Sequence, residues 1–278
     1  MTERERENAF RRARNEEIQA RSALLASTRD DIFAQLKNAQ TRIAYILQEQ
    51  PTDYQRWALT NLQREITRVM QEIADQTSST LSTAAGDAWQ AGQQLVDAPL
   101  AAGGSRIMAQ LPVIAIDQLI AMRAFMTDRI RDVSASAAAK INSELGLVVI
   151  GAQSPFEASK NVQEILGETS RSRATTIVRT ELSRVYSTAS YERMKLAATH
   201  IPGMKKEWRK SGKLHPRPGH VLANGDIVPV DDPFHIISNK GTVVLMQYPH
   251  DPAAPVGEVI NCGCIMLPRP PAFASIAR

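Results

Sequence analysis

Histidine and cysteine are absent from the first 199 residues of this 278-residue chain. All five histidines (His200, His215, His220, His235, His250) and both cysteines (Cys262, Cys264) fall between positions 200 and 264. The side chains that bind soft metals or exchange protons near neutral pH are therefore confined to one segment. Aromatic residues make up only 5% of the chain, so the core must be filled largely by Ala, Leu and Ile, which suits packed helices. No apolar run reaches the roughly 18–20 residues of a spanning helix. The most apolar stretch, 107–126, is interrupted by Asp117 and Arg123. The opening MTERERENAFRRARNEE is charged throughout and lacks the apolar core of a secretory signal, which predicts a soluble protein made in the cytoplasm. Two cysteines one residue apart make no secretory disulfide framework and point to reduced thiols or metal ligands. There is no H-E-x-x-H, P-loop or dinucleotide fingerprint, and no nucleophile elbow or protease signature around the cysteines.

Charge is distributed unevenly. Residues 171–278 carry a net +7, while residues 1–170 carry −3. Between Arg171 and Arg217 only Glu181, Glu192 and Glu207 oppose 12 basic residues. Such a stretch either faces nucleic acid or an acidic partner, or forms a solvated helix face. Lys205, Lys206, Arg209 and Lys210 around Trp208 are the candidate nucleic-acid contacts, although a lone aromatic more commonly packs as an anchor.

The first two-thirds read as helices. Ile32, Leu36, Ile43 and Leu47 recur at helical spacing, and Pro51 closes that segment. Thr52 or Asp53 caps the next helix, whose apolar stripe is Leu59, Leu62, Ile66, Val69 and Ile73. The short connection between the two predicts a helical hairpin. The Ser/Thr-rich patch 76–83 leads into a further helix ending near Val96, and the small residues of 97–105 (DAPLAAGGS) read as a linker. Helices are predicted over 114–131 and 134–145, while 147–151 (LVVIG) is ambiguous between helix and strand. Ser154, Pro155 and Gly167 are placed as the cap, first turn and end of a short helix. A long helix then runs to about Ala198, with Val178, Leu182, Val185 and Ala189 as its buried stripe.

After Pro202-Gly203 the pattern changes. Val221 to Val228, with Asn224-Gly225 at its centre, reads as a β-hairpin with a type I′ turn, and Pro229 favours an edge position. Residues 242–246 and 259–267 are further strand candidates. The fold class is α+β: an extended, mainly helical N-terminal part followed by a small α+β module with short β-hairpins. The predicted divisions are a helical docking region 1–105, a helical connector 106–168, and the α+β module 169–278.

Within that module, Cys262-Gly263-Cys264 can turn two soft thiolates toward one zinc ion, with His215 and His220 completing four ligands. The alternative is two half-buried thiols in a strand beside histidines that hydrogen-bond locally. Arg179 and Glu181 in the long helix offer ion pairs that lock the helix onto the module, or an ordinary surface pair.

The order of these pieces resembles the phage Mu F-like minor head proteins, the head morphogenesis family. It runs through SPFEASKNVQEIL, IVRTEL, KKEWRKSG, RPGH, LANGDIVPVDDPF, YPHDPAAP and INCGC, over roughly residues 150–270. The resemblance implies Arg179, Glu181, Trp208, Arg217, His220, Cys262 and Cys264 as signature positions. Two places depart from the family pattern. Lys213-Leu214-His215 stands where members often carry an acid and an arginine, and Gly263 stands where an arginine often lies between the cysteines. The resemblance further implies a non-enzymatic minor virion protein of a tailed phage, at the portal vertex or capsid interior, made in the host cytoplasm. It would act in head assembly, DNA packaging or ejection, with the portal, major capsid or scaffold protein as partners and non-specific contact with packaged DNA. The alternative is a metal-dependent hydrolase or nuclease using the His/Cys cluster.

Overall fold

The computed structural model describes residues 1–48, 56–105 and 111–273. Three long helices come first: α1 (Glu3–Gln48), α2 (Arg56–Ala102) and α3 (Asp117–Val149). They are followed by α4 (Pro155–Glu164), α5 (Ser170–Ile177) and α6 (Ser183–Ala198), joined by π-helical turns at Ile165–Thr169 and Val178–Leu182. The rest is strand β1 (Lys205–Arg209), helix α7 (Pro218–Leu222), strands β2 (Ile227–Pro229), β3 (Phe234–Ile237) and β4 (Val243–Met246), helix α8 (Val256–Val259) and strand β5 (Ile265–Arg269). The protein is thus α+β, helical first and sheet-bearing last. It divides into two compact units, one of residues 26–83 and 123–178, the other of 1–25, 84–122 and 179–278.

The first unit is all-helical. The stripe read from periodicity is buried: Ile32, Leu36 and Ile43 on α1, and Leu62, Ile66, Val69 and Ile73 on α2. Polar pairs flank it in antiparallel register, with Gln35 Nε2 donating to Thr80 Oγ1 at 2.8 Å and Arg42 Nη2 to Glu72 Oε2 at 2.7 Å. The stop at Pro51 and the cap at Thr52 or Asp53 lie outside the described residues. Ser154 forms the full capping box of α4: its Oγ accepts from the Glu157 N–H, and the Glu157 carboxylate accepts from the Ser154 N–H.

Several helical boundaries differ from expectation. The Ser/Thr patch does not interrupt α2, because Thr77 returns its hydroxyl to the Ile73 carbonyl at 2.8 Å and leaves the ladder intact. The linker expected over 97–105 is helical to Ala102, with Pro99 inside the helix, and only Gly103-Gly104 turns the chain. The two helices expected over 114–145 are one, α3, and 147–149 continue it until Gly151 turns at φ +74°. Gly167 sits within a π-helical turn instead of ending a helix.

The second unit holds the sheet. Its strand order is β2-β1-β5, all antiparallel, with Glu207 opposite both Ile227 and Leu267 and Trp208 opposite Met266. Strands β3 and β4 form a separate hairpin. The expected hairpin centred on Asn224-Gly225 is absent: residues 218–222 are helix α7, and β2 pairs with β1 across the chain. Pro218 at the first turn favours that helix, and Gly225 at φ +94° supplies the turn into β2. Residues 256–259 are helical and the expected strand starts only at Ile265. The core gathers Phe10, Val96, Leu100, Met194, Trp208, Phe234, Met246 and Met266. Gly92 of α2 passes so close to α6 that an added Cβ would lie 2.4 Å from the Tyr186 carbonyl oxygen, and Ser190 Oγ donates to the Gly92 carbonyl there at 2.9 Å.

Candidate metal centre

Three donors converge where α7 meets the chain entering β5. His220 Nδ1 lies 3.4 Å from Cys262 Sγ and 3.5 Å from Cys264 Sγ, and the three ligand atoms all lie within 4.8 Å of one another. A tetrahedral zinc with Zn–S of about 2.3 Å and Zn–N of about 2.0–2.1 Å requires S···N separations of about 3.6 Å. The donor set and its spacing therefore fit a zinc ion. All three residues are buried.

The local backbone explains the convergence. Asn261 adopts a left-handed φ of +55°, held by its N–H donating to Thr180 Oγ1 at 3.0 Å, and this turns the Cys262 and Cys264 side chains to one side. The α7 helix that presents His220 presses on β3: a Cβ on Gly219 would fall 1.7 Å from the Ile237 carbonyl oxygen, so only glycine fits. Trp208 packs edge-on to the His220 ring, centroids 5.3 Å apart, and edge-on to Phe234, also at 5.3 Å.

A further layer orients these donors. Nε2 of His220 lies 3.0 Å from Glu258 Oε2, an arrangement in which the ring donates to the carboxylate and leaves Nδ1 free to ligate. The backbone N–H of Cys264 donates to Cys262 Sγ at 3.4 Å. The Cys264 thiol, His220 and His250 hold Cys262 well below the usual thiol pKa against the cost of burial. Cys264 moves the opposite way because it shares its proton with the Cys262 thiolate; the Ser211 N–H and Trp208 indole oppose that rise. His250 is fully buried, and neither ring nitrogen has an oxygen or nitrogen partner among the described residues. Burial lowers its pKa and its contact with Cys262 opposes that shift. Arg21 on α1 is buried, donates to Ser183 Oγ at 2.7 Å and lies over the Tyr186 ring. Burial lowers its pKa, while Tyr186 and the two sulfurs act to raise it.

The sequence candidates separate into those at this centre and those away from it. His220, Cys262 and Cys264 come together. His215 lines the same cavity but is exposed and stands outside the three-donor group. Arg217 Nη2 donates to the Ile260 carbonyl at 2.6 Å and so supports the cysteine loop. Arg179 is exposed, whereas Glu181 is buried and accepts from Arg184 Nη1 at 2.6 Å. Trp208 is fully buried and has no face for a base. Of the basic residues expected to meet nucleic acid, Lys206 does not fit that role. It is buried, its Nζ donates to the Gln247 carbonyl at 2.8 Å and Oε1 at 3.0 Å, and burial lowers its pKa to about 8. Arg209 is half-buried with its guanidinium 3.7 Å from Glu207, while Lys205 and Lys210 are exposed. Glu258, His250, Asn261 and Thr180 were not singled out from sequence. Glu258 did carry a signal, as the only acid between Asp251 and the cysteines.

Residues 139–267 match the family model described as Phage Mu protein F like protein. This stretch is similar to that family. It contains every donor of the metal centre together with Arg179, Glu181, Trp208 and Arg217. The chain is also similar to "Uncharacterized protein YqbB" of Bacillus subtilis (strain 168), 34% identical over 101 residues. That alignment covers 35% of this chain and 31% of the relative, so the match spans about a third of the relative's length. No solved structure matches. No helix among the described residues is long and apolar enough to cross a membrane.

Proposed function

We propose that this protein is a non-enzymatic minor component of a tailed-phage head, acting in head morphogenesis at the portal vertex or capsid interior. The match of residues 139–267 to the Mu F-like family carries this reading. Zinc held by His220, Cys262 and Cys264 staples the domain; it crosslinks α7 to the β5 approach, two segments that share no strand pairing. The helical region provides the docking part, toward portal, major capsid or scaffold protein. Val113, Ile116 and Ile120 are large apolar side chains exposed near the start of α3, as a docking surface requires. Exposed Lys205 and Lys210, with half-buried Arg209, offer electrostatic contact with packaged DNA. Assembly, packaging and ejection are the steps at which such a component acts.

Quantitative mass spectrometry of purified heads tests the reading. A few copies per head are expected, and their loss on DNA release would place the protein among the ejected components. Complete absence from heads overturns the virion assignment. Zinc analysis of the purified full chain checks the staple separately, with one ion per chain expected.

A further inference from the structure

Among the described residues three donors form the metal group and open onto a cavity of about 270 Å³; His250 contacts Cys262 but lies outside that group and does not line the cavity. Besides the donors, the cavity is lined by Ser211, Lys213, His215, Pro216, Arg217 and by the backbone turn at Asn261-Gly263. Among the described residues no carboxylate lines it. Glu258, the acid associated with the centre, is committed to Nε2 of His220, on the edge of the ring away from the sulfurs. A divalent ion with two thiolates is neutral, so Lys213 and Arg217 leave the opening positively charged.

Both cations are held in place. Lys213 Nζ donates to the Asn261 carbonyl and Arg217 Nη2 to the Ile260 carbonyl. An ammonium has three donors and a guanidinium five, so each retains N–H groups for a ligand. Gly263 makes room for this arrangement: a Cβ there would lie 2.8 Å from Ser211 Cβ and 3.3 Å from Lys213 Cε.

We infer that this cavity is an oxyanion site that binds one phosphate group, with an oxygen in the fourth coordination position of the metal and Lys213 and Arg217 on the remaining oxygens. The inference rests on the metal reading above. Three protein ligands leave one position of a tetrahedral ion open to an outside ligand, while the ion still crosslinks α7 to the β5 approach. Small-molecule pockets measure about 300–1,000 Å³, and a cavity near the lower end of that range accommodates a phosphate group. Free phosphate and the phosphodiester of packaged DNA share that chemistry.

The test uses the full chain loaded with cobalt(II) in place of zinc. Thiolate-to-cobalt charge-transfer bands report the metal and its two sulfurs; the d–d bands report the fourth position. Inorganic phosphate is expected to shift the d–d bands saturably while cobalt content stays constant. Arg217→Gln and Lys213→Gln should each weaken that response by at least about tenfold, as expected for loss of a charge-assisted hydrogen bond, at unchanged cobalt content. The two variants guard against a local folding defect in either one. A DNA duplex that competes with phosphate identifies the phosphodiester as the source; a duplex that does not compete leaves free phosphate. Bound cobalt with bands unmoved by phosphate overturns the oxyanion site, as does a phosphate response seen only in His215→Ala, which would make His215 the fourth ligand. Failure to bind any metal overturns the metal reading itself, and this inference with it.

Discussion

The Glu258 carboxylate lies 3.0 Å from Nε2 of His220, while Nδ1 of the same ring faces both cysteine sulfurs. A carboxylate in this position fixes the ring's tautomer and raises its basicity as a ligand. Glu258→Ala is expected to weaken zinc binding by about 10–100-fold, the range for lost outer-shell partners. Competition against a chromophoric chelator measures it. Zinc affinity equal to wild type would show that Glu258 plays no part in ligation.

Gly219 is the tightest backbone approach among the described glycines. Its missing Cβ position lies 1.7 Å from the Ile237 carbonyl oxygen and 2.8 Å from its carbon, so both partners at the clash are backbone. Gly219→Ala must push α7 off β3 and displace His220, one residue on. A loss of about 2–4 kcal/mol is expected from such overpacking, read by urea unfolding, together with weaker metal binding.

Glu207 is buried between arginines. It pairs with Arg269 Nε and Nη2, and its charge opposes the lowering that burial imposes on Arg14, whose pKa falls to about 10. Glu207→Gln keeps the shape but leaves buried guanidinium groups without their counter-charge. The expected cost is about 3–5 kcal/mol. Replacing Arg269 by Met together with Glu207→Gln should recover part of it, which a double-mutant cycle would quantify.

Lys206 makes stability depend on pH in an unusual direction. Its folded pKa of about 8 lies below the 10.5 of an exposed lysine because burial disfavours the charge. Between those values the unfolded chain binds more protons than the folded one, so stability should rise with pH across that window, by up to about 1.4 kcal/mol per pH unit. Below pH 8 both states are protonated and the burial penalty is present in full. Lys206→Met should flatten the difference curve from pH 8 to 10.5 in urea unfolding; an unchanged slope would refute the assignment.

Much of the helical part was legible from residue order. The stripe of Ile32, Leu36 and Ile43 is buried, and Ser154 with Glu157 forms both bonds of its capping box. These signals are local: a 3.6-residue period and a cap need only neighbouring residues. The breaks between helices were read too readily, because Pro99 and the Ser/Thr patch carry local cost that packing and hydroxyl back-bonding absorb. The hairpin at Asn224-Gly225 failed for the opposite reason. The partner of β2 is β1, some twenty residues upstream, and turn chemistry carries no information about a distant strand.

The candidate metal centre shows the same division. Residue type singled out His215, His220, Cys262 and Cys264, since histidine and cysteine occur nowhere in the first 199 residues; only the fold separates His215 from the three-donor group. Residue type did not single out Glu258 or His250, nor did it separate buried Lys206 from exposed Lys205 and Lys210 in one basic run. By itself the sequence determined the helical periods, the α+β order and the chemical kind of the centre, all properties of composition and local spacing. The tertiary structure decided which histidine faces the sulfurs. His220 reaches across 42 residues to Cys262 because Gly219 lets α7 lie against β3 and the left-handed turn at Asn261 aims the thiols inward, while His215 stays exposed. A contact of that span depends on the packing of elements far apart in the chain, which spacing cannot specify.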